Sequence, residues 1–234
     1  MPIVVETLSK NPRVTGFATL HRSTIGRKMI MAVTGLIMLA FVVVHMVGNL
    51  KIFFGETEFN EYAAWLRTIG EPALHEAWYL WIQRAVLTVA LVLHIWAAVT
   101  LSRHDVNARP VKYHAKRKGG YATSTMRWGG VTLLLFIIWH ILDMTTGTVN
   151  PATSHEPYER ITAGFDQWWN VAIYTLAMVA LCLHIWHGLW SAANTLGWNR
   201  ATTAGFRTFA VFVALVVGFG FLLVPYSVVF GLVD

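Results

Sequence analysis

Residues 29–50 read MIMAVTGLIMLAFVVVHMVGNL. No charge interrupts the stretch, and a helix needs about 20 mostly apolar residues to cross the hydrocarbon core of a bilayer. Large apolar side chains fall on every face of the helix, unlike the one-sided pattern of a soluble surface helix. Four later segments behave the same way, and the pattern predicts helices over about 29–52, 77–102, 128–149, 167–197 and 208–231. Charges inside them are few: Lys51 at the end of the first, Arg84 early in the second and Asp143 late in the third. Backbone exposed to lipid must satisfy its own hydrogen bonds, so these spans are helices rather than open strands. The organisation expected is an N-terminal arm, 1–28, before one membrane domain, 29–233.

Composition agrees. Of 234 residues, 56% are hydrophobic and 13% charged, against about 25% charged in an average soluble domain. Mean hydropathy is +0.52. These values exclude an ordinary soluble domain and a disordered chain. The single cysteine, Cys182, excludes a disulfide framework and an iron–sulfur cluster held by this chain alone, which takes about four thiolates. Ile3–Val5 is too short, with Glu6 after it, for the apolar core of a cleavable leader. No His-Glu-x-x-His, Gly-x-Gly-x-x-Gly or phosphate-loop motif occurs, and no Ser, His and Asp are placed together for hydrolysis.

The basic residues orient the spans. Lys10, Arg13, Arg22, Arg27 and Lys28 precede the first span. Arg103, Arg109, Lys112, Lys116, Arg117, Lys118 and Arg127 flank the second connection, and Arg200 and Arg207 flank the fourth. The opposite end holds only Lys51, Arg67, Arg84 and Arg160, beside ten of the twelve acids. The two ends therefore carry +12 and −6, consistent with the overall +6. The positive-inside rule places the basic end, with the N-terminus, in the cytoplasm and the C-terminus outside. Trp65, Trp78, Trp81, Trp168 and Trp169 gather near the acidic end, as interfacial aromatics do. The basic charge is thus a topology signal, and a nucleic-acid partner is not expected.

Four spans carry a deep histidine: His45, His94, His140 and His184. An ionisable side chain inside a span marks function by default. At 1.5 Å per residue, His45 and His140 lie about 24 and 18 Å along spans that run outward. His94 and His184 lie about 26 Å along spans that run inward. Depth therefore pairs His45 with His140 in the outer half and His94 with His184 in the inner half. Two neutral imidazoles facing across a bundle are what a six-coordinate haem b requires. The expectation is an all-α polytopic membrane protein whose first four spans form a bundle around two haem b groups, roughly 10–15 Å apart along the membrane normal. Small residues one turn from three of the ligands (Gly48; Ala90, Ala97 and Ala98; Ala180 and Gly188) leave room for a macrocycle. The alternative for each histidine is packing between helices against a carbonyl. The repeated Leu-His-Ile-Trp at 93–96 and 183–186 adds modest weight to the haem reading.

Further candidates lie around these. His187, three residues beyond His184, is placed to meet a haem propionate or a quinone head group, or to be a polar residue of the inner interface. Ser23 and Arg27 are candidates for the inner quinone contact, with propionate or phospholipid as the alternative for Arg27 and Lys28. Asp143 is the candidate at the outer end, as a proton carrier or quinone contact, or as an interfacial acid whose charge reaches water. His21, His104 and His114 fall in the inner segments, and His75 and His155 in outer loops.

The stretch Ser23-Thr24-Ile25-Gly26-Arg27-Lys28, then Thr34-Gly35, then His45-Met46-Val47-Gly48-Asn49-Leu50, together with the four-histidine layout, resembles the single-chain, five-helix, two-haem cytochrome b anchor of succinate dehydrogenase and fumarate reductase. The resemblance extends over roughly residues 20–230. It implies an inner haem on His94 and His184 and an outer haem on His45 and His140. It further implies a flavoprotein and an iron–sulfur subunit on the cytoplasmic face of a bacterial inner membrane, electron exchange with menaquinone or ubiquinone, and dicarboxylate chemistry located in those partners. Higher oligomers of the complex are compatible with it. The alternatives are the cytochrome b subunit of a hydrogenase, formate dehydrogenase or nitrate reductase, and a haem-free transporter or anchor. Discontinuous midplane helices, common in transporters, are not indicated, since Pro225 is the only proline within a span.

Overall fold

A computed structural model describes residues 23–107, 121–198 and 203–233. Seven α-helices run through them: α1 (Thr24–Asn49), α2 (Glu56–Thr68), α3 (Trp78–Asn107), α4 (Tyr121–His140), α5 (Pro157–Asp166), α6 (Trp168–Thr195) and α7 (Ala204–Val229). A 3-10 turn over Leu50–Phe54 prolongs α1, and a π-helical turn over Ile141–Thr145 prolongs α4. Helices α1, α3, α4, α6 and α7 are long and apolar enough to cross a bilayer. The protein is all-α and polytopic. Lys10, Arg13, His21, Arg22, Arg109, Lys112, His114, Lys116, Arg117, Lys118 and Arg200 lie outside the described residues.

The spans extend beyond the stretches that hydropathy marks. Helix α1 begins at Thr24 rather than about 29, because the Ser23 hydroxyl accepts the Gly26 amide at 2.9 Å and caps it. Arg27 and Lys28 thus belong to the helix and not to an arm. Helix α3 continues past Ser102 to Asn107, and α4 begins at Tyr121 rather than about 128. Helix α7 starts at Ala204, capped by Thr203, whose hydroxyl accepts the Phe206 amide at 3.3 Å. Charged end turns stay helical in the interface, where hydropathy no longer registers them. The third span closes early, at Thr145, where the Thr146 amide donates to the Ile141 carbonyl across five residues.

Helices α2 and α5 are additions to the expected pattern. Both are short and largely polar, so a window tuned to lipid passes over them. Gly55, with φ at +98°, makes the turn into α2 in a region that disfavours a side chain, and Pro157 opens α5. The two meet through Phe59 and Tyr158, centroids 6.3 Å apart, and through the Tyr158 amide donating to Asn60 Oδ1 at 3.1 Å. They cover the acidic end of the bundle over Ile52, Ile161, Phe165 and Val224. Glu159 holds the preceding loop, accepting from the Thr153 amide and hydroxyl at 2.9 and 2.8 Å. The Ser154 hydroxyl first, then the Thr153 donors, pull its carboxyl down to about 2.

Helix α3 lies on α1, α1 on α6, and α6 on α4, while α7 packs outside against α6 and α1. The first four therefore form a bundle in the order α3, α1, α6, α4, in which α3 and α4 do not pack closely together. Helix α7 approaches α6 and α1 through glycine: a Cβ on Gly218 would run into Cys182 Sγ, and one on Gly220 into Met46 Sδ. Gly218→Val should therefore overpack the α6–α7 seam and cost about 1–3 kcal/mol. Thermal unfolding in detergent checks this, and an unchanged midpoint would contradict the packing. The outward faces, such as Val33, Ile37, Val86, Val89, Leu135, Leu176, Phe212 and Phe219, are exposed, as lipid contact demands.

Candidate functional site

A cavity of about 1940 Å³ runs through the bundle, lined by His45, His94, His140 and His184. Ordinary small-molecule sites occupy roughly 300–1,000 Å³. The histidines face one another in pairs across it. The His45 and His140 rings have centroids 5.8 Å apart at 79°, and the His94 and His184 rings 6.1 Å apart at 57°. A metal takes an imidazole nitrogen at about 2 Å, so rings on opposite sides of one ion have centroids on the order of 6 Å apart. Each pair joins helices diagonal in the bundle: α1 with α4, and α3 with α6. The levels also differ. His94 reaches Met31 and Gly35 on α1, and Gly35 precedes His45 by ten residues, on the order of 15 Å of helix.

Hydrogen bonds fix which nitrogen faces the cavity. A carbonyl only accepts, so His94 Nδ1 carries the proton it donates to Met31 O at 3.1 Å, with Thr34 Oγ1 also 3.2 Å away. The Thr34 hydroxyl is itself committed to Ile30 O at 2.7 Å. Nε2 of His94 is left with a lone pair, the neutral tautomer that a metal ligand requires. Gly35 is needed beneath this ring, because a Cβ there would stand 3.2 Å from His94 Cε1. His184 Nδ1 is buried with no hydrogen-bond partner, and a buried polar atom left unpaired calls for an explanation.

At the other level His140 Nδ1 lies 3.1 Å from Tyr174 Oη. The Tyr174 hydroxyl donates to Asp143 Oδ2 at 3.0 Å. The phenol has one proton and spends it on the carboxylate, so His140 donates from Nδ1 and keeps the Nε2 lone pair. His45 instead stacks on Phe41, centroids 5.2 Å apart at 15°, with Phe221 at 5.9 Å.

The remaining predicted residues divide. His187 lines the basic end of the cavity with Lys28, Arg103, Arg127 and Ser191, its ring edge-on to Trp190 at 5.8 Å. Ser23 and Arg27 do not line it: Ser23 caps α1, and the Arg27 guanidinium sits 6.0 Å over the Trp96 ring. Asp143 is only 1% exposed, between α4 and α6, and is not among the residues that line this cavity. Asp143 thus lies inside the bundle rather than at a wet interface, its carboxylate accepting from the same Tyr174 hydroxyl that His140 meets. Gly48 lines the cavity and also admits α2, since a Cβ there would meet Tyr62 Oη at 2.9 Å. Tyr174 and Asn170 were not anticipated. Both are polar residues in the first half of a span, a signal too general to act on.

Five apolar spans with two facing histidine pairs at different depths define a polytopic membrane protein. The family model described as succinate dehydrogenase/fumarate reductase transmembrane subunit matches residues 106–224, about half of the chain. The chain belongs to this family, and so to the membrane part of an oxidoreductase complex. The matched stretch contains His140 and His184. No curated protein and no solved structure gave a significant match.

Proposed function

We propose that the chain is the cytochrome b anchor of a succinate dehydrogenase or fumarate reductase, with His94 and His184 holding one haem b and His45 and His140 another. The observation that carries this reading is the pairing itself: four imidazoles meet two by two across the cavity, at the spacing of paired axial ligands. Among the described residues no third His, Cys, Asp or Glu joins either pair as a metal site, which suits a metal whose in-plane ligands come from a macrocycle. The cavity volume supports the same reading. When bound, the haems supply one-electron carriers between an iron–sulfur subunit and membrane quinone. The protein residues orient the imidazoles, keep them neutral and exclude water.

The basic end of the chain favours docking of the flavoprotein and iron–sulfur subunits there, on the cytoplasmic face of a bacterial inner membrane, with the C-terminus outside. For menaquinone or ubiquinone, His187 and Ser191 at that mouth of the cavity are better placed than Ser23 or Arg27. Purification of the intact complex followed by pyridine-haemochrome assay and reduced-minus-oxidised spectra tests the proposal. Two protohaems per chain are expected. A fully assembled complex without protohaem overturns it.

A further inference from the structure

Behind His140 lies a polar cluster centred on the buried Asp143, which reaches the cavity wall at Tyr174. Asp143 accepts three bonds inside the protein: from Asn150 Nδ2 at 2.7 Å, Asn170 Nδ2 at 3.0 Å and Tyr174 Oη at 3.0 Å. Both amides are fixed from their other ends. Asn170 Oδ1 accepts from Trp139 Nε1 at 2.9 Å, and its Nδ2 also donates to Gly164 O at 3.0 Å. Asn150 Oδ1 accepts from the Ala152 amide, and its Nδ2 also donates to Arg160 O. The Tyr174 ring cannot swing away, since Phe136 and Phe165 meet it edge-on at 4.9 and 4.8 Å. Among the described residues the cluster reaches one of the four deep histidines, from Tyr174 Oη to His140 Nδ1 at 3.1 Å. A buried carboxylate is thus coupled through one phenol to one of the four imidazoles. The corresponding partner of His94 is a backbone carbonyl.

We infer that Tyr174 and Asp143 are positioning residues that fix the His140 tautomer and make this imidazole a stronger electron donor than the others, so that the two haem sites differ electronically. The inference rests on the haem reading above. An Nδ1–H that donates toward a phenol bonded to a carboxylate gives the ring more anionic character, raising the basicity of Nε2. That favours the ferric state at the His45–His140 site. Removing the phenol hydroxyl, or the negative charge behind it, raises the midpoint at that site and leaves the His94–His184 site alone.

The test compares the wild-type complex with Tyr174→Phe and Asp143→Asn, measuring haem per chain and both midpoints by spectroelectrochemistry. Two haems should persist in each variant. One midpoint should rise by at least about 59 mV, a tenfold change in a one-electron equilibrium, while the other stays in place. Two haems with both midpoints unmoved would overturn the inference and leave the haem assignment intact. Failure of both variants to assemble would also overturn it, because the role assigned is electronic rather than one the fold requires. A wild-type complex without haem would strike the underlying reading instead.

Discussion

His184→Ala should reduce the haem content of the purified complex from two to one. Its ring is one half of the pair on α3 and α6, and among the described residues no other imidazole is paired with His94. His187 follows three residues later, nearly one turn nearer the basic end, with its ring against Trp190. Alanine keeps the helix, being the best helix former, so the change falls on the site and not on the span. His94 remains anchored to Met31 and Thr34 from α1, but a single axial imidazole does not give a low-spin six-coordinate iron. Loss of an outer-shell partner typically costs 10–100-fold in metal affinity or activity, and loss of a ligand should exceed that roughly 100-fold in electron delivery to quinone. Succinate oxidation measured with a soluble acceptor should persist, since that chemistry belongs to the partner subunits. Haem counting and the quinone-to-soluble-acceptor activity ratio check both parts. Two haems in the variant would mean that His184 is not a ligand.

Much of this site was legible in the sequence because membrane burial leaves little ambiguity. A neutral run long enough to span, with one histidine inside it, fixes both an element and a depth. Alternating helix direction then sorts four depths into two levels, and the structure brings together the same pairs of rings. What was not legible follows from side-chain partners and burial. Asp143, three residues after His140, reads as sharing its face, and both do meet Tyr174 on α6, but its position late in the span gives no sign that the carboxylate is closed off from water. Tyr174 is separated from His140 by 34 residues, and nothing in its surroundings distinguishes it from a packed aromatic. Gly48 reads as open space and does line the cavity, but its neighbour there, Tyr62, comes from α2, a helix that hydropathy does not detect. Helix ends suffer for the same reason: the caps at Ser23 and Thr203 act outside the hydrocarbon, where the apolar signal has already faded.

The two imidazoles of the other pair differ in how they are held, and that difference predicts unequal chemical rescue. His45→Gly and His140→Gly should each remove one haem while His94 and His184 retain theirs, with a helix cost of about 0.5–1 kcal/mol relative to alanine. Each vacated space has the shape of an imidazole, so imidazole added during assembly should restore the second haem in both variants. At position 45 the incoming ring meets Phe41 and Phe221, and among the described residues no hydrogen-bond partner awaits it. At position 140 it meets Phe136 and, in addition, the fixed Tyr174 hydroxyl. One neutral hydrogen bond contributes about 0.5–1.5 kcal/mol, so imidazole should bind roughly 2–10-fold more tightly in His140→Gly. Titrating imidazole against the low-spin absorbance gives the two affinities directly. In His140→Gly combined with Tyr174→Phe the advantage should vanish, leaving an affinity like that of His45→Gly. If the two single variants bind imidazole equally, the Tyr174 bond contributes nothing to ligand orientation. If neither regains low-spin absorbance at saturating imidazole, these rings do not face a metal.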